Sequence, residues 1–127
     1  MQVEVVSPEL VLYSGDAEMV VCRTVGGGDI AFLAGHEPFL GALEIAKVRV
    51  LLQDGGEQVV AVHRGFVEVA NDRVIVLSDI AEVAEDIDRG RAEAARERAE
   101  TALAADPQNA TAAEDLARAH LRLDVTG

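Results

Sequence analysis

Four arginines near the end of the chain have the residue type and spacing of an anion-binding site. Arg91 and Arg98 are seven residues apart and share one face of a predicted helix, and Asp88 lies one turn before Arg91. Arg118 and Arg122 are four residues apart and share a face of a second predicted helix. If the helices fold back on each other, the four guanidinium groups converge. Their planar forks suit polyphosphate.

A charged, solvated helix face explains the same residues. Arg89 with Glu93, and Arg96 with Glu100, are i,i+4 pairs that stabilise a helix by about 0.2–0.5 kcal/mol each. From the spacing alone, this interpretation is favoured over a ligand site.

No arrangement of residues predicts catalysis. The histidines at 36, 63 and 120 lie far apart, and none has other ligands at metal-binding spacing. Cys22 has no histidine partner in the pattern of a nucleophile. The glycine-rich segment 26–29 lacks the Lys-Ser/Thr of a phosphate loop and leads into a strand, which indicates a hairpin turn. The sequence therefore predicts a non-catalytic protein that requires no cofactor or metal.

The elements that would position these residues change character at Asp86. Before it, apolar and polar residues alternate, which predicts strands at 3–6, 10–13, 18–25, 30–33, 44–52, 58–63, 66–69 and 74–77, with turns that include 14–16, 26–29, 54–56 and 71–72. After it, segment 86–100 is rich in helix formers and charges. We predict an antiparallel β-sandwich over residues 1–85, followed by an antiparallel helical hairpin over residues 86–127.

The hairpin is predicted from its boundary signals. Asp86 or Asp88 caps the first helix, which runs to about Ala105 before the Asp-Pro pair at 106–107. Thr111 and Glu114 resemble a capping box for a second helix that ends near Leu123. The predicted facing positions are mostly alanine: Ala92, Ala95, Ala99, Ala102, Ala112, Leu116, Ala119 and Leu123. Because alanines bury little apolar surface, the hairpin is expected either to lean on another surface or to open.

Composition restricts the partners. The net charge of −12 argues against nucleic acid and anionic lipid, and 14 of the 23 acidic residues lie in segment 1–85. No apolar run has the roughly 20 residues of a membrane span, and the first residues lack the pattern of a signal peptide. The single Cys22 is predicted to be a buried thiol in a reducing cytoplasm.

Landmarks along the chain resemble one family. They are ValSerPro (6–8), TyrSerGlyAspAlaGlu (13–18), GlyHisGluProPheLeu (35–40), GlyPheValGluVal (65–69), ValIleValLeuSerAsp (74–79) and AspIleAsp (86–88). In order and spacing the chain resembles the epsilon subunit of F-type ATP synthase. The resemblance implies a non-catalytic central-stalk subunit at the cytoplasmic face of the bacterial plasma membrane, held there through the complex. It implies that the sandwich contacts the gamma subunit and the c-ring, with Asp29 in the c-ring region and His36 near gamma. A turn histidine bonded to backbone is an equal alternative for His36.

The resemblance also implies regulation by the hairpin. In some members the hairpin binds ATP when folded and blocks ATP hydrolysis when it extends into the catalytic head. The ATP motif of those members is matched by IleAspArgGlyArgAla at 87–92. The implied ligands are Glu82, Asp88, Arg91 and Arg98, with Arg118 and Arg122 as a looser match. Gly90 weakens the helix within the motif by up to about 1 kcal/mol relative to alanine, and the short second helix reduces the reach into the head.

Two functions of other classes remain open from the sequence. A free-standing nucleotide sensor would share the ATP site but would be a monomer without affinity for a gamma-like coiled coil. A carbohydrate-binding sandwich is disfavoured because only 3% of the residues are aromatic, and sugar sites use stacked rings.

Overall fold

A computed structural model describes residues 1–126, and their contacts separate a first unit, residues 1–83, from a second that begins at Ala84. The first unit consists of eight strands: β1 (Gln2–Val6), β2 (Val11–Asp16), β3 (Met19–Thr24), β4 (Gly28–Leu33), β5 (Phe39–Leu51), β6 (Glu57–Ala70), β7 (Arg73–Leu77) and β8 (Ala81–Val83). The second contains a 3-10 turn (Ala84–Asp86) and two helices, α1 (Arg89–Ala105) and α2 (Ala110–Thr126). The predicted sandwich followed by a helical hairpin is confirmed.

The strands are hydrogen-bonded in the order β2-β1-β7-β6-β5-β3-β4, and β8 pairs with β6. Strands β1 and β7 run parallel, whereas the other pairs described are antiparallel. The predicted strands 58–63 and 66–69 are one continuous strand, β6, and the predicted turn at 14–16 lies inside β2. Both predictions were wrong: the backbone ladder continues through Gly15 and through Gly65.

Strand β6 changes its inward face halfway along its length. Val60 and Val62 belong to the hydrophobic core before the change, whereas Val67 and Val69 belong to it afterwards, so the core-facing positions move from even to odd numbers. Between them Arg64 has φ +66° and Gly65 has φ +146°. This left-handed kink resets the alternation of side chains, since a residue out of the β region breaks the two-residue period.

Buried aliphatic side chains from β1, β3, β5, β6 and β7 fill the core, with one large aromatic ring, Phe32 on β4. Cys22 is buried among them, as predicted, and burial raises the pKa of its thiol to about 12.

The helix boundaries are set by polar caps. Asp88 caps α1 as predicted, because its Oδ1 accepts a hydrogen bond from the Arg91 amide at 3.1 Å. The predicted capping box at Thr111 was wrong. Asn109 caps α2 instead, accepting from the Ala112 amide at 3.0 Å, and the helix continues past Leu123 to Thr126. The Asn109 side-chain oxygen thereby satisfies one of the amides that lack a partner in the first turn of α2.

The seam of the hairpin is made of small residues. The fully buried side chains on the two helices are Ala92, Ala99, Ala112, Ala119 and Leu121. Four of these were predicted to face the other helix. A seam of methyl groups gains little from burial, so the closed hairpin is weakly held by apolar contacts.

Candidate functional site

The outer side of the sandwich carries a row of exposed apolar residues. They stand at strand positions where the alternation of apolar and polar side chains predicts polar residues. Val6 pairs in register with Val11 on one side and with Leu77 on the other, and Leu77 pairs with Phe66. Residues in register project to the same face of a sheet. Val11 and Phe66 are each 56% exposed and Leu77 is 48% exposed. Leu40 on β5, 70% exposed, extends the row. We call Val6, Val11, Leu40, Phe66 and Leu77 the outer apolar face.

A cleft of about 430 Å³ opens at one end of this face. Its lining residues are Val6, Ser7, Pro8, Gly65, Phe66, Leu77, Ser78 and Asp79. Gly65 is one of the lining residues. A Cβ at this position would lie 2.0 Å from the carbonyl oxygen of Leu77, so no larger residue fits without a shift of the backbone. The cleft therefore depends on glycine at this position.

Of the predicted partner contacts, Asp29 is the second residue of β4, and His36 follows the turn after that strand. The Asp29 carboxylate binds the Nε atom of Arg23 at 3.0 Å, and this hydrogen bond raises the pKa of the guanidinium. His36 is half-buried; its Nδ1 lies 2.7 Å from the Glu37 carbonyl, and its ring packs edge-on against Phe32 at 4.9 Å. This contact agrees with the alternative interpretation of His36 as a histidine that is hydrogen-bonded to backbone beside a turn.

Glu82, a predicted ATP ligand, lies on β8 in the first unit. Its Oε1 is 2.8 Å from Nε2 of His63, whose side chain is fully buried. Ser78 anchors the same segment, with its Oγ 2.6 Å from the Arg64 carbonyl and 2.8 Å from that of Ile80. The Glu82 carboxylate thus already has a buried partner.

Within the second unit, Asp88, Arg91 and Arg98 lie on α1. Asp88 uses its carboxylate as the N-cap, and both arginines are exposed. Arg98 borders a shallow depression lined by Ala94, Glu97, Arg98 and Thr101. Because the lining comes from α1 alone, the depression is an open surface rather than an enclosed pocket.

Arg118 and Arg122, on α2, are half-buried. Nη2 of Arg118 lies 3.7 Å from Oε1 of Glu114, and its Nε is buried with no hydrogen-bond partner among residues 1–126. A buried N–H without an acceptor is costly, so this guanidinium is suited to an added anionic oxygen. No interaction described for residues 1–126 joins the arginines of α1 predicted as ligands to those of α2, so their convergence on one anion stays a prediction.

Two features were missed in the sequence. The outer apolar face had a visible signal, since Phe66 and Leu77 fall on the polar phase of strands whose inward residues are Val67, Val69, Val74 and Val76. Arg89 was assigned only a pair with Glu93, at 3.5 Å, but its Nη1 also donates to the Leu123 carbonyl at 3.3 Å and to Thr126 Oγ1 at 3.1 Å. No sequence signal predicts that contact, because it depends on how the helices are offset.

Residues 1–126 contain no group of three or more histidine, cysteine or acidic side chains able to hold a metal ion. Over the same range, neither helix is long and apolar enough to span a membrane.

Family models match both parts of the chain. Residues 1–84 match the β-sandwich domain of the ATP synthase Delta/Epsilon chain, and residues 85–127 match the long alpha-helix domain of that chain. The two matched domains, a β-sandwich and a helical domain, define the class: a non-catalytic stalk subunit of ATP synthase. The chain belongs to the ATP synthase Delta/Epsilon chain family.

Curated bacterial relatives agree with this assignment. The ATP synthase epsilon chain of Brevibacillus brevis is 48% identical over 103 residues, which cover 81% of this chain and 77% of the relative. The ATP synthase epsilon chain of Bacillus velezensis is 43% identical over 130 residues, covering 100% of this chain and 97% of the relative.

Two solved structures share the fold. A chain of the Euglena gracilis mitochondrial ATP synthase, solved by cryo-EM as OSCP/F1/c-ring in rotational state 1, has a TM-score of 0.73 at 21% identity, and the match covers 98% of this chain and 75% of that one. A chain of the Tetrahymena thermophila mitochondrial ATP synthase central stalk and c-ring has a TM-score of 0.61 at 12% identity, with coverage of 99% and 96%.

Proposed function

We propose that the chain is a rotor subunit of a bacterial F-type ATP synthase, in which residues 1–85 bind the central stalk and residues 86–127 regulate ATP hydrolysis. Its partners are the gamma subunit, the c-ring and, through the hairpin, the catalytic head. It contributes to coupling proton translocation to ATP synthesis and is held peripherally at the cytoplasmic face of the plasma membrane by the complex. Family membership and the names of the bacterial relatives support this role.

The proposal that the sandwich binds gamma rests on the outer apolar face. Contiguous exposed apolar residues on a folded domain mark interaction sites, and this row crosses five neighbouring strands. The surrounding unit is acidic, with 14 acidic and 5 basic residues in segment 1–85. The matching partner surface is therefore aliphatic at its centre and basic at its rim.

The turn between β3 and β4 is the proposed contact with the c-ring. Val25 at this turn is 58% exposed, and Gly26 and Gly28 adopt positive φ. Asp29 closes the turn through its ion pair with Arg23, which fixes the loop before any partner arrives. For His36 we propose a position near gamma, which its occurrence in the family landmark at 35–40 supports.

ATP binding in the hairpin is the second proposal, with Asp88, Arg91, Arg98, Arg118 and Arg122 as ligands. The buried Nε of Arg118 without an acceptor favours it, and so does the exposure of Arg91 and Arg98. Glu82 is included because of its position in the family motif. It would contact ATP either while it keeps its hydrogen bond to His63 or after it gives that bond up.

A ligand that binds only the closed hairpin stabilises that state. At a hundredfold excess over Kd, ATP would contribute about 2.7 kcal/mol. This shifts a two-state hairpin by about a hundredfold, enough to control whether it extends.

Copurification tests the rotor role, and titration tests the ATP site. The full chain should copurify with gamma and the c-ring from cells that express the complex. Calorimetric titration with ATP should give a Kd below 1 mM, an affinity that corresponds to about 4.1 kcal/mol. Arg91→Ala should weaken it at least tenfold, and Arg49→Ala, in the sandwich, should leave it unchanged.

The outcomes separate the candidates. ATP binding without copurification would instead support the free-standing nucleotide sensor. Copurification without ATP binding would retain the rotor role and remove ATP as the regulatory ligand.

A further inference from the structure

Arg89 begins α1 at a helix end whose partial positive charge favours acidic residues, and α1 has no acidic residue in its first turn. The N-cap carboxylate of Asp88 offsets that charge, and Glu93 pairs with Arg89 at 3.5 Å, so the guanidinium keeps a local partner in an open hairpin. Its direction towards α2 needs a further explanation.

The C-terminus of α2 provides one. That end carries partial negative charge, and the last four carbonyls lack partners within the helix. No basic residue stands in the last turn of α2. Arg89 supplies the missing cation from the other helix: its Nη1 donates to the Leu123 carbonyl at 3.3 Å and to Thr126 Oγ1 at 3.1 Å.

Thr126 is held in place to receive this contact. Its hydroxyl donates back to the Arg122 carbonyl at 3.0 Å, which leaves its oxygen as an acceptor for Arg89. The donor, the hydroxyl and the carbonyl thus form one continuous chain of hydrogen bonds across the open end of the hairpin.

We infer that Arg89 is a positioning residue that helps to hold the hairpin closed, because its hydrogen bonds to Leu123 and Thr126 form only when α2 folds back on α1. Since the alanine seam contributes little, a single polar contact at the end of the hairpin has a measurable share in closure. The guanidinium is directed at α2, so Arg89 is not a ligand of the ATP site proposed at its neighbours Asp88 and Arg91.

The test is the rate at which a thiol placed in the seam is labelled. Ala99, 4% exposed, is replaced by cysteine in the full chain, and every variant is made in that background so that the effect of the probe cancels. Cys22 stays in place because it is buried with a raised pKa. A small thiol reagent then reacts with the probe only from the open hairpin, without nucleotide present.

Arg89→Ala should raise the labelling rate about threefold, a change of about 0.65 kcal/mol in the closing equilibrium. Thr126→Val should raise it about twofold, and Arg89→Lys should lie between Arg89→Ala and the parent. Glu93→Gln, which removes the ion pair within α1 at 3.5 Å but keeps the contacts to α2, should leave the rate unchanged.

The pattern across the variants distinguishes this role from a local one. If Arg89 acted only through its pair with Glu93, Glu93→Gln would change the labelling rate as much as Arg89→Ala does, and Thr126→Val would leave it unchanged. Either result would overturn the inference. A rate in Arg89→Lys equal to that in Arg89→Ala would also contradict it.

The consequence for ATP rests on the proposed function and is measured separately. If ATP binds only the closed hairpin, adding ATP slows labelling in every variant, because ATP and the Arg89 contact both favour the closed state. Absence of slowing would remove the ATP proposal, whereas the nucleotide-free difference between variants would still decide the role of Arg89.

Discussion

The imidazole of His63 and the carboxylate of Glu82 form a buried clamp between β6 and β8, with Nε2 and Oε1 2.8 Å apart. Strand β8 has only three residues, and its pairing extends over Val60 to Val62 of β6. A strand this short gains little from its own ladder. The side-chain pair therefore has a large share in holding the last strand of the sandwich.

Glu82→Ala should destabilise the sandwich by about 1–3 kcal/mol, because it leaves a buried imidazole nitrogen without its partner. Glu82→Gln should cost less, since its amide still offers a hydrogen bond. Urea unfolding measures the loss, and hydrogen exchange should show it concentrated at the amides of β8. Glu57→Ala, which breaks the exposed ion pair with Arg49 at 2.6 Å, is the matched control and should cost less. Equal losses in the two alanine variants would contradict the clamp.

Gly65→Ala should be among the most destabilising single substitutions in the sandwich. The added Cβ would lie 2.0 Å from the Leu77 carbonyl oxygen, and φ at this position is +146°. We expect a loss of at least about 3 kcal/mol, since backbone strain and a clash with backbone add together. Gly26→Ala provides the control: its φ is +76°, but no atom lies within 4 Å of the added Cβ. If both variants unfold at the same urea concentration, the close approach at Gly65 has no energetic importance.

The kink at Arg64 and Gly65 shows which features of β6 local periodicity predicts and which it does not. Alternation identified the strands on either side of it because Val60/Val62 and Val67/Val69 each keep a period of two. It divided β6 into two strands because a phase change looks the same whether the chain turns or only kinks. Only the partner strand, β5, decides between these possibilities, and pairing partners are not visible in local periodicity.

The hairpin likewise separates features that the sequence predicts from contacts that it does not. Asp88 was predicted correctly as a cap because capping is local and has a strong residue preference. The contact from Arg89 to α2 joins residues 34 positions apart at Leu123, and no local rule specifies it. Likewise, the sequence places Glu82 among the ATP ligands, but only the fold shows that a buried histidine holds its carboxylate.

Phe66→Ser and Leu77→Asn should each strongly weaken binding to gamma while leaving the fold intact. Both side chains are about half exposed on the outer apolar face, so their loss costs the isolated chain little. In an interface they would be central anchors, whose removal costs 2 kcal/mol or more, or at least about thirtyfold in Kd. Surface plasmon resonance with immobilised gamma measures this.

The control for that experiment is Val25→Ser, another exposed apolar residue, 58% exposed, at the turn between β3 and β4. It should bind gamma as the parent does. Should Phe66→Ser retain parental affinity, the outer apolar face is not the gamma contact.

Cys22 makes the stability of the sandwich depend on pH under alkaline conditions. Burial raises its pKa from 9.0 in the unfolded chain to about 12 in the folded one. Between these values the unfolded thiol has lost its proton and the folded one has kept it, so the unfolded state binds fewer protons. Stability is therefore full below about pH 9 and falls as the pH rises, by at most about 1.4 kcal/mol per pH unit. Urea unfolding of the parent and of Cys22→Ala at several pH values separates this contribution, because the variant lacks the thiol. The difference in stability between them should shrink above about pH 9, and a difference that stays constant would mean that the folded thiol ionises as readily as the unfolded one.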